Sequence, residues 1–437
     1  MKDGKTLGDM PSAQHLNAML RSETFLSCFR PLDAVVRTPY YLSDFSLGPP
    51  GYHDGGVGER VLYVGPTPDI AETTETIVRF LGVMDFATAA DRTNAVGAAL
   101  TVQLRHHWSG EKPLVSLTAT KSFAGKGTVA EFVQGSVSKA DVLYESLDWP
   151  MQRQFQMQVQ ADPSVGLVVF DNVRLDSSGG RAKLIRSGFL ESFITSREVV
   201  LASPGAGKPM RLANRYVAVI TTNDGLLSPD LMNRALSIHL APRGDVQDRH
   251  SPIGNPKFEF LPQNRDRIEA ELRGMIERWK AAGCPLDSTI VHPMSGWART
   301  IGGILKVSGF TDFLGNQRVR RTADDPVSHA IGILGADSPG NARRPSEWAA
   351  QAVELGLAKI LFSLLDRDTL RGRERAIGVV LNRHRDETFE VITEKAGQRL
   401  QLRLRLRGGC RRWQRGKNPH TRYVFDVIDQ KVLPLDE

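Results

Sequence analysis

Residues 113–140 read "PLVSLTATKSFAGKGTVAEFVQGSVSKA", and the order of their parts decides the fold. "PLVSLTAT" is an apolar, β-branched run and "KSFAGKG" is a glycine-rich turn. "TVAEFVQGSVSKA" then reads as a helix with Val129, Phe132, Val133 and Val137 on its buried face. A strand feeding a tight turn and a helix N-terminus aims backbone N–H groups at one point, which is what a phosphate group requires. Ser122, Ala124, Gly125, Lys126, Gly127 and Thr128 would line that point, with Lys126 reaching the outer phosphates. The match to G-x-x-x-x-G-K-[ST] is incomplete. Thr120 stands for the first glycine and Gly127 for the hydroxyl residue, with Thr128 one place later.

A second Gly-Lys pair lies in "SPGAGKPM", residues 203–210. There Pro209 follows Lys208, where a helix should begin to offer N–H groups and proline has none. Its flanks, "REVVLA" and "RLANRYVAVI", are strand-like, so this stretch reads as a hairpin turn carrying an exposed Lys208. Further strands follow the first. "GLVVFDN" ends in Asp171, a carboxylate suited to hold Mg²⁺ beside a phosphate loop. "VAVITTND" ends in Asn223, and "SPDLMNRALSIHL" places Arg234 shortly after it. A phosphate loop, an acidic strand end, a polar strand end and an arginine, in that order, point to a nucleotide site using ATP and Mg²⁺.

Around this core, "DRTNAVGAALTVQLRHH" is helical, with Val96, Ala99, Leu100 and Leu104 on one face and Asp91 or Thr93 as its cap. "GNPKFEFLPQN" reads as a loop, and "NRDRIEAELRGMIERWKAAG" as an amphipathic helix ended by Gly283. The stretch "TADDPVSHAIGILGADSPGNARRP", residues 322–345, reads as a linker. Two helical runs follow it. In "QRLQLRLRLRGGCRRWQRGKNPHTRYVFDVI", Leu400, Leu402, Leu404 and Leu406 then alternate with arginines at the period of a strand. Helix, helix, strand, turn, strand is the order of a winged helix. Its face of Arg403, Arg405 and Arg407, with Arg411, Arg412 and Trp413 near the tip, suits DNA.

The chain has 437 residues, enough for two or three domains, and a net charge of +7. The fold class expected is α/β: a P-loop NTPase (AAA+-like) core with a β-rich N-terminal segment, a small helical lid and a C-terminal winged helix. The expected bounds are 1–70 for the segment, 71–243 for the core, 244–335 for the lid and 345–437 for the winged helix. From Arg399 to Arg422 no acid interrupts the basic residues, which suits a polyanion partner or a solvated face. No run is long enough to span a bilayer, and "MKDGKTLGDM" lacks the apolar core of a signal peptide. Cys28, Cys284 and Cys410 are distant and odd in number, which fits a reducing cytoplasm.

The stretches "SFAGKGT", "LVVFDNV", "AVITTNDGLLSPDLMNRALSIHLAP" and "WARTIGGILKVSGFTDFLGN" resemble the AAA+-type helicase ATPases of phage, plasmid and mobile-element primase/helicase proteins, relatives of the superfamily 3 helicases. The likeness covers residues 30–320, with no primase-like region before it. It implies Lys126 and Thr128 at phosphates and magnesium, and Asp171 as the acid of the second strand. It also implies Asn223 as the residue that positions water and Arg234 as a finger reaching a neighbouring subunit. A homo-oligomeric ring, usually hexameric, around DNA would follow, with Lys208 on a hairpin in its channel. One departure bears on chemistry: Asn172 stands where many such enzymes carry a catalytic glutamate, and an amide cannot take a proton. The function expected is an ATP-dependent helicase or translocase in replication of a mobile element. A DNA-binding adaptor or initiator whose ATP site acts as a switch is the first alternative. A small nucleotide kinase, suggested by "GKGT", is the second.

Overall fold

The computed structural model describes residues 11–42, 44–56, 60–108, 110–121, 123–173, 184–201, 210–223, 226–242, 251–317, 326–362, 368–395, 398–408 and 422–433. The chain divides into two units, Met1–Gly225 with Arg234–Leu314, and Leu226–Asn233 with Gly315–Glu437.

The first unit opens with α1 (Ala13–Leu20) and α2 (Glu23–Leu26), neither of which buries a residue. A small sheet follows, made of β1 (Ala34–Val36), β2 (Gly51–Asp54) and β3 (Arg60–Tyr63), with β3 in the centre. Then come α3 (Glu75–Gly82), α4 (Ala89–Gln103), β4 (Leu114–Ala119), α5 (Lys126–Gln134), β5 (Ser138–Asp141), α6 (Asp148–Ala161) and β6 (Val165–Val173). After β7 (Leu184–Ile185) and α7 (Gly188–Phe193), β8 (Glu198–Leu201) and β9 (Met210–Ala213) pair antiparallel, and β10 (Val217–Thr222) follows. Two short elements of the second unit, β11 (Leu226–Leu227) and α8 (Pro229–Asn233), precede β12 (Ala235–Leu240).

Five strands form one parallel sheet in the order β12-β4-β10-β6-β5. Helices on both faces explain why β4, β6 and β10 read as continuous apolar runs, and β10 is buried along its whole length. The edge strand β5, "SKAD", has three polar residues of four and no such signal, and it lies where the helix after the phosphate loop was expected to continue; that helix ends at Gln134. The helix α4 is buried nearly all round. Its cap is Thr88, whose hydroxyl accepts from the Asp91 N–H at 3.1 Å, so neither Asp91 nor Thr93 caps it. Asp91 is instead buried, accepting from the His239 N–H of β12 at 2.9 Å and thereby tying the helix to the sheet.

The loop expected at 254–264 is instead a π-helical turn, Pro256–Phe260, running into the helix α9 (Leu261–Ala281). Asn255 starts it by accepting from the Lys257 and Phe258 N–H groups at 3.1 and 3.0 Å. The helix α10 (Ser295–Val307) packs on α4, with Trp297 Nε1 donating to Thr101 Oγ1 at 2.9 Å.

In the second unit, the stretch expected to be a linker forms α11 (Pro326–Asp337). Ala330, Ile331, Leu334 and Ala336 lie in the core of this unit. Gly335 is a packing device here: a Cβ on it would stand 2.4 Å from the Phe425 ring. After α12 (Pro345–Glu354), α13 (Ala358–Leu361) and α14 (Leu370–Arg383) come three antiparallel strands in the order β13-β14-β15. These are β13 (Thr388–Lys395), β14 (Gln398–Gly408) and β15 (Tyr423–Leu433). The leucines of β14 fill the core beside Trp348 and Phe425, as their alternation requires.

One buried lysine braces the segments that lead into β4 and β10. Lys112, just before β4, donates from Nζ to the carbonyls of Trp108 at 2.5 Å and Asn214 at 2.7 Å. Burial, with Arg105 and Arg215 nearby, pushes its pKa down to about 7. Between that value and the unfolded value near 10.5 the unfolded chain binds the extra proton, so stability rises with pH across this window. We predict that the unfolding free energy of the wild type, measured relative to Lys112→Met, increases from pH 7 to 9.5, with a slope of at most about 1.4 kcal/mol per pH unit. Urea titrations at both pH values check this, and a flat difference would refute it.

Candidate functional site

A left-handed turn starts the site. After β4 the chain passes Phe123, with φ of 62°, and Gly125, with φ of 90°, before α5 begins at Lys126. A Cβ on Gly125 would meet only the flexible end of the Met84 side chain, at 2.7 Å, so it is the left-handed φ of 90° that favours glycine here. The first N–H groups of α5 have no partner within the helix and face the carboxyl edge of the sheet. That edge beside β4 is where a parallel sheet binds ligands, because β4 lies where the strand order reverses.

Three strand ends meet there. The Lys126 ammonium donates to the Asn223 side-chain oxygen just past β10. On β6, Asp171 and Asn172 form a bulge against the single residue Thr221 of β10, and Asn172 takes a φ of 50°. The bulge leaves both residues exposed at the end of a buried strand. Thr221 bridges it, since its hydroxyl accepts from the Asn172 N–H at 2.7 Å and donates to Asp171 Oδ1 at 2.6 Å. The Asp171 carboxylate is therefore held toward β10 and Asn223.

The fit of ATP and Mg²⁺ can be judged from these donors. Lys126, the α5 N-terminus and the Gly125 cradle suit a phosphate group. Mg²⁺ commonly takes one or two carboxylates, with water and phosphate oxygens completing its shell, and Asp171 is such a carboxylate. Gly127 has no hydroxyl to add, and Thr128 Oγ1 lies on the Met84 side, 4.0 Å from a Cβ built on Gly125. Among the described residues no group of three His, Cys, Asp or Glu residues could hold a metal alone.

Arg234 sits elsewhere. Its carbonyl accepts from Leu114 N at 3.1 Å, at the amino edge of the sheet. Leu240, six residues on, bonds Thr120 at the start of the phosphate loop. A strand rises about 3.3 Å per residue, which puts Arg234 roughly 20 Å from its own loop.

The second unit carries the arginine strand. Leu402, Leu404 and Leu406 are buried, and Arg403, Arg405 and Arg407 are exposed. The run that is free of acids in sequence is not free of them in space. Asp429 of β15 lies opposite Arg403 and Asp426 opposite Arg405, while Arg407 Nε pairs with Asp426 Oδ2 at 2.6 Å. Ser122, Lys208, Arg411, Arg412 and Trp413 lie outside the described residues, as does the turn that carries Lys208.

Two residues at this edge of the sheet were not found by sequence reasoning. Thr221 shares the period-two face of Asn223, which is a signal that could have found it. Lys257 belongs to the π-helical turn, and its Nζ lies 3.5 Å from where a Cβ on Gly127 would be. Only the fold brings it there.

No protein-family model matches the chain, and no curated protein does. Among solved structures, the apo A form of the NrS-1 C-terminal region aligns at 12% identity over 84% of this chain and 83% of that one, with a TM-score of 0.42. A further apo structure of that region, residues 305–718, aligns at 12% identity over 80% and 83%, with a TM-score of 0.39. A Cytophaga hutchinsonii protein described only provisionally as an ATPase aligns at 10% identity over 71% and 77%, with a TM-score of 0.24. Alignments this distant leave the chemistry of the site to be read from its own geometry, a P-loop NTPase-like strand, loop and helix on a parallel sheet.

Thr221 gives that geometry a test. Thr221→Val removes a hydrogen bond with a net worth of about 1 kcal/mol, so exchange of the Asn172 amide should quicken about fivefold. Thr221→Ser should leave the rate near that of wild type. Hydrogen-exchange mass spectrometry reads the amide, and equal rates in all three proteins would remove Thr221 from the site.

Proposed function

We propose that this chain is an ATPase of helicase or translocase type that works as a homo-oligomer on DNA. The observation that carries the reading is the contact between Lys126 and Asn223, beside the Asp171 carboxylate that Thr221 holds. These groups belong to three chain segments and share one edge of the sheet. Lys126 and the α5 N–H groups bind the phosphates of ATP. Asn223, released from Lys126 by the incoming phosphate, is placed to orient water. Bound Mg²⁺ supplies positive charge to the phosphate oxygens, and Asp171 is the residue that holds it. The place of Arg234, far from its own loop, supports a role at the site of an adjacent copy. DNA as the partner rests on the sequence resemblance and on the exposed arginines of β14 and, on the expected hairpin, Lys208.

Asn172 favours a second reading, a switch that binds ATP and turns it over slowly. The bulge presents an amide where a proton acceptor would serve hydrolysis. Steady-state ATPase rates with and without single-stranded DNA separate the two readings, because a translocase is stimulated and a slow switch is not.

Lys126→Ala should bind ATP poorly and lose turnover, read by equilibrium binding and phosphate release. Turnover at the wild-type rate would disqualify the loop. Arg234→Ala should keep ATP binding and lose hydrolysis by about 10³-fold, the worth of an arginine finger. Mixing the two variants should restore part of the activity, because some interfaces then join an intact loop to an intact arginine. No recovery in oligomers shown to be mixed would exclude action in trans.

A further inference from the structure

We infer that Lys257 is a second phosphate-binding cation of the nucleotide site and that it stands in for the hydroxyl missing at Gly127. The inference rests on the nucleotide reading proposed above and names a residue that neither the motif nor the resemblance contains. Lys257 Nζ lies 3.5 Å from the position of a Cβ on Gly127, beside the second residue of α5. It is half-buried, its Nζ lies 5.5 Å from the centre of the Phe258 ring, and no described carboxylate pairs with it.

That placement is electrostatically unfavourable on its own. The N-terminus of α5 carries a partial positive charge, and a cation is disfavoured there unless an anion intervenes. A phosphate group between α5 and Lys257 turns the repulsion into two attractions.

The placement is also built firmly. Asn255 caps the turn that carries Lys257, and Glu259 accepts from the Asn255 N–H at 2.7 Å. The following helix α9 is fastened to the far end of α5. Arg265 donates to the Gly135 carbonyl at 2.7 Å, and Glu269 accepts from the Ser136 N–H at 2.6 Å. The turn that carries Lys257 is thus fixed beside the helix whose N-terminus its ammonium faces. An ammonium at this point contributes charge to the phosphates without a metal ion, so binding of the triphosphate should persist when divalent cations are removed.

The test is ATP binding by isothermal titration calorimetry on the full chain, with Mg²⁺ and again with EDTA. Wild type, Lys126→Ala, Lys257→Met and Lys257→Arg are compared, with thermal melting as a folding control. The wild type should bind in both conditions. Lys257→Met should weaken binding at least tenfold in EDTA, about what one charge-assisted hydrogen bond is worth, and less with Mg²⁺. Lys257→Arg should stay within about threefold of wild type. If Lys257→Met binds like wild type in both conditions while Lys126→Ala does not bind, the inference is overturned and the nucleotide reading stands. Equal losses in Lys257→Met and Lys257→Arg with lowered melting temperatures would also overturn it, marking a packing role. A wild type that binds no ATP in either condition would overturn the nucleotide reading and this inference with it.

Discussion

Five parallel strands put all their carboxyl ends on one edge of the sheet, and that constraint shapes the rest of the first unit. Each strand that ends in a polar residue delivers it to the same crevice, whatever the distance in sequence. β4 delivers the glycine turn, β6 delivers Asp171 and β10 delivers Asn223. The same polarity sends Arg234, the residue just before β12, to the far edge. One of the sheet's two register shifts, the bulge at Asp171 and Asn172, lies where β6 nears its end and must present a carboxylate; the other is at the start of β5.

Buried carboxylates on α9 hold the outer helices to this frame. Glu271 is fully buried and accepts from the Thr76 and Ile77 N–H groups at 3.0 and 2.9 Å. It caps α3, whose own N-cap residue, Thr74, makes no side-chain bond. Glu269 does the same for the turn after α5. Arg267 and Arg273 pair with these two carboxylates at 3.4 and 3.6 Å, so each buried charge has both N–H donors and a counter-ion. The amphipathic pattern of α9 was plain in the sequence. These polar attachments were not, since they join residues up to 195 positions apart.

How legible each element was follows from the physics that forms it. β4, β6 and β10 are continuous apolar runs because they are buried on both faces, so their place in an α/β sheet could be read directly. The edge strand β5 has one solvated face and too few apolar residues to stand out. The π-helical turn at Pro256–Phe260 opens with Asn and Pro, which read as loop residues but here start a helix. The helix α11 contains glycines that weaken its helical signal, and one of them, Gly335, gives Phe425 room rather than breaking the chain. At the site, the ends of apolar strands drew attention to Asp171 and Asn223. The position of Thr221 was legible from the face it shares with Asn223, but its bonds to Asp171 and Asn172 on the neighbouring strand were not.

Charge, too, reads differently in the sequence and in the fold. Arginines at 403, 405 and 407 are the most obvious basic feature of the sequence, yet β15 brings Asp426 and Asp429 against them. An arginine run on a strand reports its own residues, whereas the field at its surface depends on what the next strand returns. Lys257 is the opposite case. It is an unremarkable lysine in a stretch that reads as loop, and the fold sets it beside a helix N-terminus, where a cation without an anion is poorly placed. Arg407 is already partly satisfied by its exposed pair with Asp426. A cation held against a positive helix end is not satisfied, and it gains most when a phosphate arrives.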